Sequence, residues 1–331
     1  MSTATAPSTM MMIDAIRDAL DVALDLDDAV FQLGEDIQDP KGGGFGVHKG
    51  LETKYGSERI RCTPISEQAI MGAAIGAAMA GMRPVAEIML MNFISVAADQ
   101  LFNHAAKLRY MSGGATPIPL TVRTTTGAGA GFGAQHSDML EAALIHTPGL
   151  KVVVPSTAAD AKGLLLSAIF DDDPVVVVEM SSLYFGVRDE VPAGDYRVPL
   201  GQARIARAGT DLTLITYGKQ VLDCLAVAEQ LAAEGISVEV IDLRTLQPLD
   251  THAIFTSVSK TRRAVVVHEA VTRGGFGAEL SAQIHSELFG ELLAPVGRVG
   301  GADTPVPYAS SLEQSFLPTS RIEPAIRAVL G

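Results

Sequence analysis

One carboxylate, Glu67, stands at the start of a stretch that otherwise carries no charge. Residues 63–84 read TPISEQAIMGAAIGAAMAGMRP, and the fifteen residues after Glu67 are all uncharged. The preceding RIRCTPI (59–65) has a strand pattern, so Glu67 should lie between the carboxyl end of a parallel strand and a helix. Open α/β sheets bind ligands at that edge. Glu67 is therefore a candidate functional carboxyl group; the alternative is a carboxylate that only stabilises the helix N-terminus.

The helix behind Glu67 has an unusually thin face. Gly72, Gly76 and Ala80 are spaced by four residues, which places them on one side of a helix. Each glycine costs a helix about 1 kcal/mol relative to alanine, so the stripe indicates that another element approaches closely. That element is either the sheet of the same domain or the equivalent helix of a second subunit.

Two glycine-rich segments invite comparison with phosphate-binding loops. KGGGFG (41–46) lacks the Lys-Ser/Thr ending of a P-loop, and GAGAGFGAQHS (127–137) runs into Gln135 and His136 rather than into a helix. Both segments are more typical of loops that close over a site.

The elements that must position these residues alternate between short β-branched strands and helical patterns. This alternation predicts an α/β fold with two doubly wound domains. A stretch rich in glycine, proline and charge (186–211) interrupts it, and the pattern then restarts. We therefore predict a first domain over residues 10–190, a linker over 191–210 and a second domain over 211–331.

Composition excludes several classes of function. The net charge of −13 argues against a nucleic-acid-binding or anionic-membrane surface. The two cysteines, Cys62 and Cys224, form neither a disulfide framework nor a zinc pattern. The first nine residues are polar, are predicted to be disordered, and lack the features of signal or transit peptides. Because the cysteines form no disulfide framework, we expect a protein of the reducing cytoplasm. The longest apolar stretch is too interrupted to predict a membrane span.

Several motifs carry a family resemblance. Glu67, Gly72 and Gly76, together with TPISE, RPVAEIMLMNF, ADQLFNHAAKLRYMSGG and GAQHS, resemble β subunits of the thiamine-diphosphate-dependent first component of 2-oxo acid dehydrogenase complexes. These belong to the transketolase-like superfamily and include pyruvate and acetoin dehydrogenases. The resemblance runs from about Met11 to the end of the chain. It implies a pyrimidine-binding domain followed by a transketolase C-terminal domain.

The resemblance also implies roles for individual residues. Glu67 would hydrogen-bond a ring nitrogen of the cofactor's aminopyrimidine, Phe93 would stack on that ring, and Met89 would line the same pocket. His136 would lie near the thiazolium and the substrate and assist acyl transfer to a lipoyl arm, with Gln135 beside it. Without the resemblance, Met89 and Phe93 would be interpreted as core residues and His136 as a loop histidine.

The motif that holds the diphosphate is missing. No Gly-Asp-Gly occurs in the chain, yet the diphosphate needs a Mg²⁺ ion with oxygen ligands. The resemblance therefore implies an α subunit that holds Mg²⁺ in an α2β2 heterotetramer, and a lipoyl-bearing dihydrolipoamide acyltransferase as a further partner. Some relatives also bind a structural K⁺ through main-chain carbonyls, which here would be those of Leu120, Ala168, Ile169, Asp171 and Asp173.

The expected function is decarboxylation of a 2-oxo acid and reductive acylation of a lipoyl group, as in pyruvate dehydrogenase. Cleavage of acetoin by an acetoin dehydrogenase is the alternative. A transketolase-like carboligase half and a non-catalytic docking partner are further alternatives, the last disfavoured because Glu67, Phe93 and His136 are all present.

Overall fold

The computed structural model describes residues 7–331. Residues 1–6 of the stretch predicted to be disordered lie outside the described residues, whereas Ser8 and Thr9 belong to the first strand. By their internal contacts, the residues form two compact units. The first comprises residues up to 126 together with 143–200, and the second comprises 127–142 together with 201–331. The limits predicted from the sequence, 10–190 and 211–331 for the domains and 191–210 for the linker, stay predictions.

The first unit is built on parallel strands with helices packed on them. Its strands are β1 (Ser8–Met11), β2 (Val30–Glu35), β3 (Ile60–Thr63), β4 (Arg83–Leu90), β5 (Thr121–Thr126), β6 (Lys151–Val153), β7 (Val175–Met180) and β8 (Arg188–Val191). Its helices are α1 (Met12–Leu26), α2 (Leu51–Tyr55), α3 (Glu67–Met79), α4 (Ala106–Met111) and α6 (Ala158–Ile169), while α5 (Glu141–Ile145) begins in the residues of the second unit and ends in the first. Short 3₁₀ helices cover Met91–Ser95 and Ser181–Leu183, and a π-helix covers Gln100–Ala105.

Six of these strands form a parallel sheet in the order β6-β7-β5-β4-β2-β3. The central β5 and β7 are buried along their whole length, as expected for parallel strands covered on both faces. β1 and β8 form a separate antiparallel ribbon. Since sequential parallel strands all end at one edge, the residues after β2, β3 and β4 are gathered there.

Helix α3 shows why its sequence is rich in small residues. It packs on β4 through a buried face made of Ile70, Met71, Ala74, Ile75 and Ala78. The opposite face carries the glycines: a Cβ atom on Gly76 would meet no atom within 4 Å, and one on Gly72 would meet only the Gln100 side chain. The glycine stripe therefore does not pack against the sheet of its own unit.

The second unit repeats the α/β pattern. Its strands are β9 (Arg204–Arg207), β10 (Leu212–Thr216), β11 (Val238–Asp242), β12 (Thr245–Gln247), β13 (Ala264–Val271) and β14 (Gly297–Gly301). Its helices are α7 (Gln220–Ala232), α8 (Thr251–Thr261), α9 (Phe276–Glu287), α10 (Ser310–Phe316) and α11 (Thr319–Leu330).

Five strands of this unit form a sheet in the order β14-β13-β10-β11-β9, in which only β9 runs antiparallel to its neighbour. Leu214, Val240 and Val265 pack with Cys224, Leu231 and Ile326 in its core. The expectation of two doubly wound α/β domains is thus confirmed. Across residues 7–331, no helix is both long and apolar enough to cross a membrane.

Candidate active site

Glu67 is the first residue of α3 and lies at the carboxyl edge of the first unit's sheet. Its side chain is mostly buried, with 7% of the residue exposed. It nevertheless lines an open pocket of about 500 Å³, together with Ile65, Ser66, Gln68, Ala69, Gly72, Val96 and Gln100. A largely desolvated carboxyl group at the wall of a pocket can make a directed hydrogen bond to a ligand, because little water competes for it.

Two further glutamates belong to this edge, Glu35 beside Glu67 and Glu87 beside Glu35, and sequence reasoning assigned neither of them. Glu35 ends β2, which pairs with β3 directly before Glu67. Burial raises the pKa of Glu35, and the charges of Glu67 and Glu87 raise it further. Acids at the carboxyl ends of adjacent strands were the signal that could have identified this group. These like charges favour the protonated form of Glu35.

Glu87 connects this edge to a buried network centred on Arg123. The guanidinium donates from Nη1 to Oε2 of Glu87 at 2.7 Å, and from Nε and Nη2 to the two carboxylate oxygens of Glu179 at 2.8 and 2.7 Å. Tyr184 donates to Glu179 and shares a 2.8 Å hydrogen bond with Thr125. Arg123 is only 1% exposed, so its charge is balanced entirely by these carboxylates.

His48 lies against the same network. Its Nε2 is 3.3 Å from Nη1 of Arg123 and its Nδ1 is 3.6 Å from Oε2 of Glu87. Burial holds the pKa of His48 well below its ordinary value, and the Arg123 charge lowers it further. The imidazole is therefore neutral at physiological pH and contributes shape and hydrogen bonding rather than charge.

Met89 and Phe93 lie at the same edge of the first unit, and both are partly buried. A Cβ atom on Gly44 would lie 2.9 Å from Sδ of Met89, so glycine permits the loop after β2 to touch this side chain. Phe93 belongs to the 3₁₀ helix that follows β4. The structure thus places Glu67 and Phe93 on the helices that follow β3 and β4, and Met89 near the carboxyl end of β4 itself, but Met89 and Phe93 are not among the residues that line the Glu67 pocket.

Gln135 and His136 lie in the segment 127–142, which belongs to the second unit. Gln135 is exposed and His136 is partly buried, with its amide donating to the Gly133 carbonyl at 3.2 Å. The predicted site residues therefore fall into two groups, one in each unit. Sequence reasoning did not anticipate that this segment packs with the second unit, because it lies between two strands of the first.

Four of the five carbonyls suggested as K⁺ ligands already take part in hydrogen bonds. Those of Ile169 and Asp171 accept from the same atom, Nη1 of Arg83, at 3.4 and 3.0 Å. The Leu120 carbonyl accepts from Val175 at 2.9 Å, and that of Ala168 accepts from Asp171 at 3.2 Å. A carbonyl oxygen keeps a second lone pair for another partner, but a cation here would have a guanidinium as its neighbour.

The aspartates of this region are also neutralised by cations. Asp172 pairs with Arg83, Asp173 with Arg109, and Lys151 with both Asp171 and Asp173. Among residues 7–331, no group of three or more His, Cys, Asp or Glu side chains is arranged to hold a metal ion.

Comparison with known proteins agrees with this architecture. Residues 8–186 match the family described as transketolase, pyrimidine binding domain, and residues 201–321 match transketolase, C-terminal domain. A split-gene transketolase, solved as an inactive β4 tetramer, superposes with a TM-score of 0.78 at 24% identity, covering 97% of this chain and 98% of that one. That likeness shows the fold.

Sequence relatives are closer. The chain is 47% identical to the β subunit of acetoin:2,6-dichlorophenolindophenol oxidoreductase of Cupriavidus necator, over 92% of this chain and 93% of the relative. It is 46% identical to the mitochondrial pyruvate dehydrogenase E1 component subunit β of Caenorhabditis elegans, over 98% of this chain and 92% of the relative. The chain therefore belongs to the family of transketolase-like β subunits that includes those of pyruvate dehydrogenase and of acetoin dehydrogenase.

Proposed function

We propose that this chain is the β subunit of a thiamine-diphosphate-dependent 2-oxo acid dehydrogenase of the pyruvate dehydrogenase type. The enzyme decarboxylates a 2-oxo acid, oxidises the remaining carbonyl fragment to an acyl group and reduces the disulfide of a lipoyl group on a dihydrolipoamide acyltransferase. The lipoyl disulfide is the electron acceptor, and one of its sulfurs receives the acyl group. We place the enzyme in the cytoplasm.

The observation that carries the proposal is the mostly buried Glu67 carboxyl group at the wall of an open pocket. When bound, thiamine diphosphate supplies the carbon nucleophile and the electron sink that decarboxylation of a 2-oxo acid requires. In our proposal, Glu67 holds a hydrogen bond to a ring nitrogen of the aminopyrimidine and so favours the proton arrangement that activates the cofactor. The pKa of Glu35 is raised by burial and by the neighbouring charges, so its carboxyl group can hold a proton at this edge of the sheet.

Other residues orient and enclose the ring. We assign Phe93 to stacking on the aminopyrimidine, since its side chain is only partly buried. We assign Met89, whose side chain Gly44 approaches closely, to contact with the same ring. His136 and Gln135 face the reacting end of the cofactor and the lipoyl arm, and this assignment rests on the family resemblance.

The pocket needs a second chain to be complete. It is open on one side, and two large apolar side chains at its rim, Ile65 and Val96, are 79% and 52% exposed. Exposed apolar residues around a pocket favour coverage by a partner. We propose an α subunit that supplies the diphosphate site and the Mg²⁺ ligands, in an α2β2 heterotetramer.

A structural potassium ion is a further part of the proposal. The carbonyls of Ile169 and Asp171 converge on one point, as ligands of a monovalent cation must. The ion would have to displace the Arg83 guanidinium from this place, because Asp171 and Asp173 are already paired with Lys151.

Cleavage of acetoin is the second candidate reaction. The relatives named for acetoin and for pyruvate are 47% and 46% identical to this chain, so similarity does not separate the two substrates. Most of the substrate pocket would come from the α subunit in either case.

A substrate comparison tests the proposal. The chain is co-purified with its α subunit, supplied with thiamine diphosphate and Mg²⁺, and assayed by reduction of an artificial electron acceptor. Pyruvate, branched 2-oxo acids and acetoin are compared in parallel. We expect turnover with pyruvate; turnover with acetoin alone would support the second candidate, and no turnover with any of them would contradict both.

A further inference from the structure

The segment that leads to His136 has a backbone that only glycine adopts readily. Gly127, Gly129, Gly131 and Gly133 alternate with other residues, and their φ angles are 105°, 107°, 74° and 73°. Side chains at such φ values are strained. With this backbone, the amides of Gly129 and Gly131 point toward one common acceptor. This is the geometry of a backbone anion-binding concavity.

Two buried carboxylates occupy the anion positions that this backbone creates. Oε1 of Glu313 accepts from the amides of Gly129 and Gly131 at 2.7 and 3.1 Å. Oε1 of Glu269 accepts from the amide of Ala128 at 2.6 Å. Glu313 is 2% exposed and Glu269 is 1% exposed. Neither residue was assigned a role from the sequence.

Each carboxylate is itself anchored in the second unit. Glu313 lies in α10, whose Phe316 packs with Ala128 in a small apolar cluster. Glu269 lies in β13, and its Oε2 accepts from Nε2 of Gln220 at 3.0 Å. The three amides are therefore bonded to rigid elements rather than to another loop.

The rest of the segment is fixed as well. A Cβ atom on Gly133 would lie 2.3 Å from the Tyr308 ring, so the ring packs directly on the backbone there. At the far end, Tyr217 donates to Oε1 of Glu141 at 2.7 Å, and both side chains are buried. His136 lies between these two fixed points.

We propose that Glu269 and Glu313 are positioning residues that set the conformation of the loop carrying His136, by accepting hydrogen bonds from the amides of Ala128, Gly129 and Gly131. The proposal deepens the proposed function, since it rests on His136 acting at the reacting centre. Charge-assisted hydrogen bonds are about twice as strong as neutral ones, so the Glu313 carboxylate holds the amides of Gly129 and Gly131 more firmly than a neutral side chain could.

Amide hydrogen exchange of the full chain, resolved to single residues by mass spectrometry at about pH 8, tests this without any assay of activity. In the wild type, the amides of Ala128, Gly129 and Gly131 should exchange at least about tenfold more slowly than in an unstructured chain. Glu313→Ala should remove the protection at Gly129 and Gly131. Glu313→Gln keeps an acceptor oxygen but no charge, and its exchange rates should lie between the two.

Glu239→Gln is the matched control. Glu239 is also a buried glutamate of the second unit that accepts a main-chain hydrogen bond, from Gly209 at 3.1 Å. Its side-chain partners are Ser257 and Lys260, which lie outside the 127–142 segment. Its substitution should leave exchange over 127–136 unchanged. Wild-type amides without protection, or equal exchange in the Glu313 and Glu239 variants, would overturn the proposal.

Comparing the effects on kcat and on KM distinguishes this proposal from the proposed function. In the complex with the α subunit, Glu269→Gln and Glu313→Gln should lower kcat for acyl transfer to lipoyl groups and leave the KM for the 2-oxo acid nearly unchanged. A rise in KM at constant kcat would contradict a positioning role. Loss of loop protection with unchanged kcat would show that the carboxylates hold the loop but that His136 does not act in the reaction.

Discussion

At the scale of single residues, the buried charges of this chain divide into a structural set and a set facing the pocket. Arg123 belongs to the structural set, because its guanidinium is shared between Glu87 and Glu179 and none of the three is more than 11% exposed at its side chain. Burial and the Arg123 charge act in opposite directions on the pKa of Glu87, and the net direction is upward. Glu87 thus depends on Arg123 to remain ionised.

Arg123→Met should lower the free energy of unfolding strongly. The substitution leaves two carboxylates buried without a cation, and breaking such a pair costs about 3–5 kcal/mol. Urea denaturation at neutral pH measures the loss. Arg327→Met is the control, since Arg327 pairs with Glu234 and Glu323 at the exposed surface and should leave the urea midpoint unchanged. Equal losses in the two variants would contradict the structural role of Arg123.

The protonation of Glu269 gives stability a defined pH dependence. Burial raises the pKa of Glu269 from its ordinary 4.5 to about 7, partly opposed by the bonds from Ala128 and Gln220. The stability that this group contributes is fully present below about pH 4.5 and is lost as pH rises through about 7. Glu269→Gln never ionises and should therefore gain about 2 kcal/mol relative to the wild type between about pH 5.5 and 8.5.

The neighbours of Glu269 do not reverse this sign. Lys219 lowers its pKa and Asp223 raises it, and these two side chains are paired with each other at 2.6 Å. His268 stays neutral over this range, because burial lowers its pKa to about 4. Urea unfolding of both proteins at the two pH values measures the effect. A difference between variant and wild type that does not change with pH would contradict the raised pKa.

At the scale of elements, α3 joins the pocket to an exposed face that carries the small residues Gly72 and Gly76, next to the exposed Met79. The sequence left two interpretations of the Gly72–Gly76 stripe, packing on its own sheet or against a partner. The structure rules out the first, since neither glycine faces the sheet. The second stays a prediction, and the glycines are then needed for the approach of another chain rather than for the fold.

Gly76→Leu should therefore weaken the αβ assembly without weakening the fold of this chain. The side chain would enter open space in the isolated chain, and removal of a helical glycine stabilises by up to about 1 kcal/mol. The αβ assembly should be lost or weakened, as measured by analytical ultracentrifugation of the co-purified subunits. Ala282→Leu, on the exposed side of α9, is the control. An intact assembly with Gly76→Leu would show that the stripe is not an interface.

Elements with strong patterns could be predicted from the sequence, and those set by long-range contacts could not. The buried valine-rich β7 and the helix after Glu67 follow directly from composition and spacing. In contrast, β9 lies within the stretch predicted as a linker, and its antiparallel pairing with β11 supplies a stability that local composition does not reveal. The π-helix Gln100–Ala105, beside the Glu67 pocket, likewise has no signal in the sequence pattern.

At the scale of the whole molecule, the order of α/β units could be predicted, but the place of the 127–142 segment in the second unit could not. Glu67 was identified because a lone carboxylate follows a strand and precedes a helix. Glu269 and Glu313 were not identified, because each lies more than a hundred residues along the chain from the amides of 127–131 that it binds. The expected His136 loop was placed with the first domain, whereas its contacts assign it to the second unit.

In our proposal, Glu67 activates a cofactor held between this chain and an α subunit. The most direct test is the decarboxylation rate of Glu67→Gln in the co-purified complex with thiamine diphosphate and Mg²⁺. Glu58→Gln is the control, because Glu58 is fully exposed two residues before β3. We expect Glu67→Gln to assemble normally and to lose activity by about 100-fold or more, the range of proton-transfer catalysis, while Glu58→Gln stays fully active. A Glu67→Gln complex that decarboxylates at the wild-type rate would contradict the account.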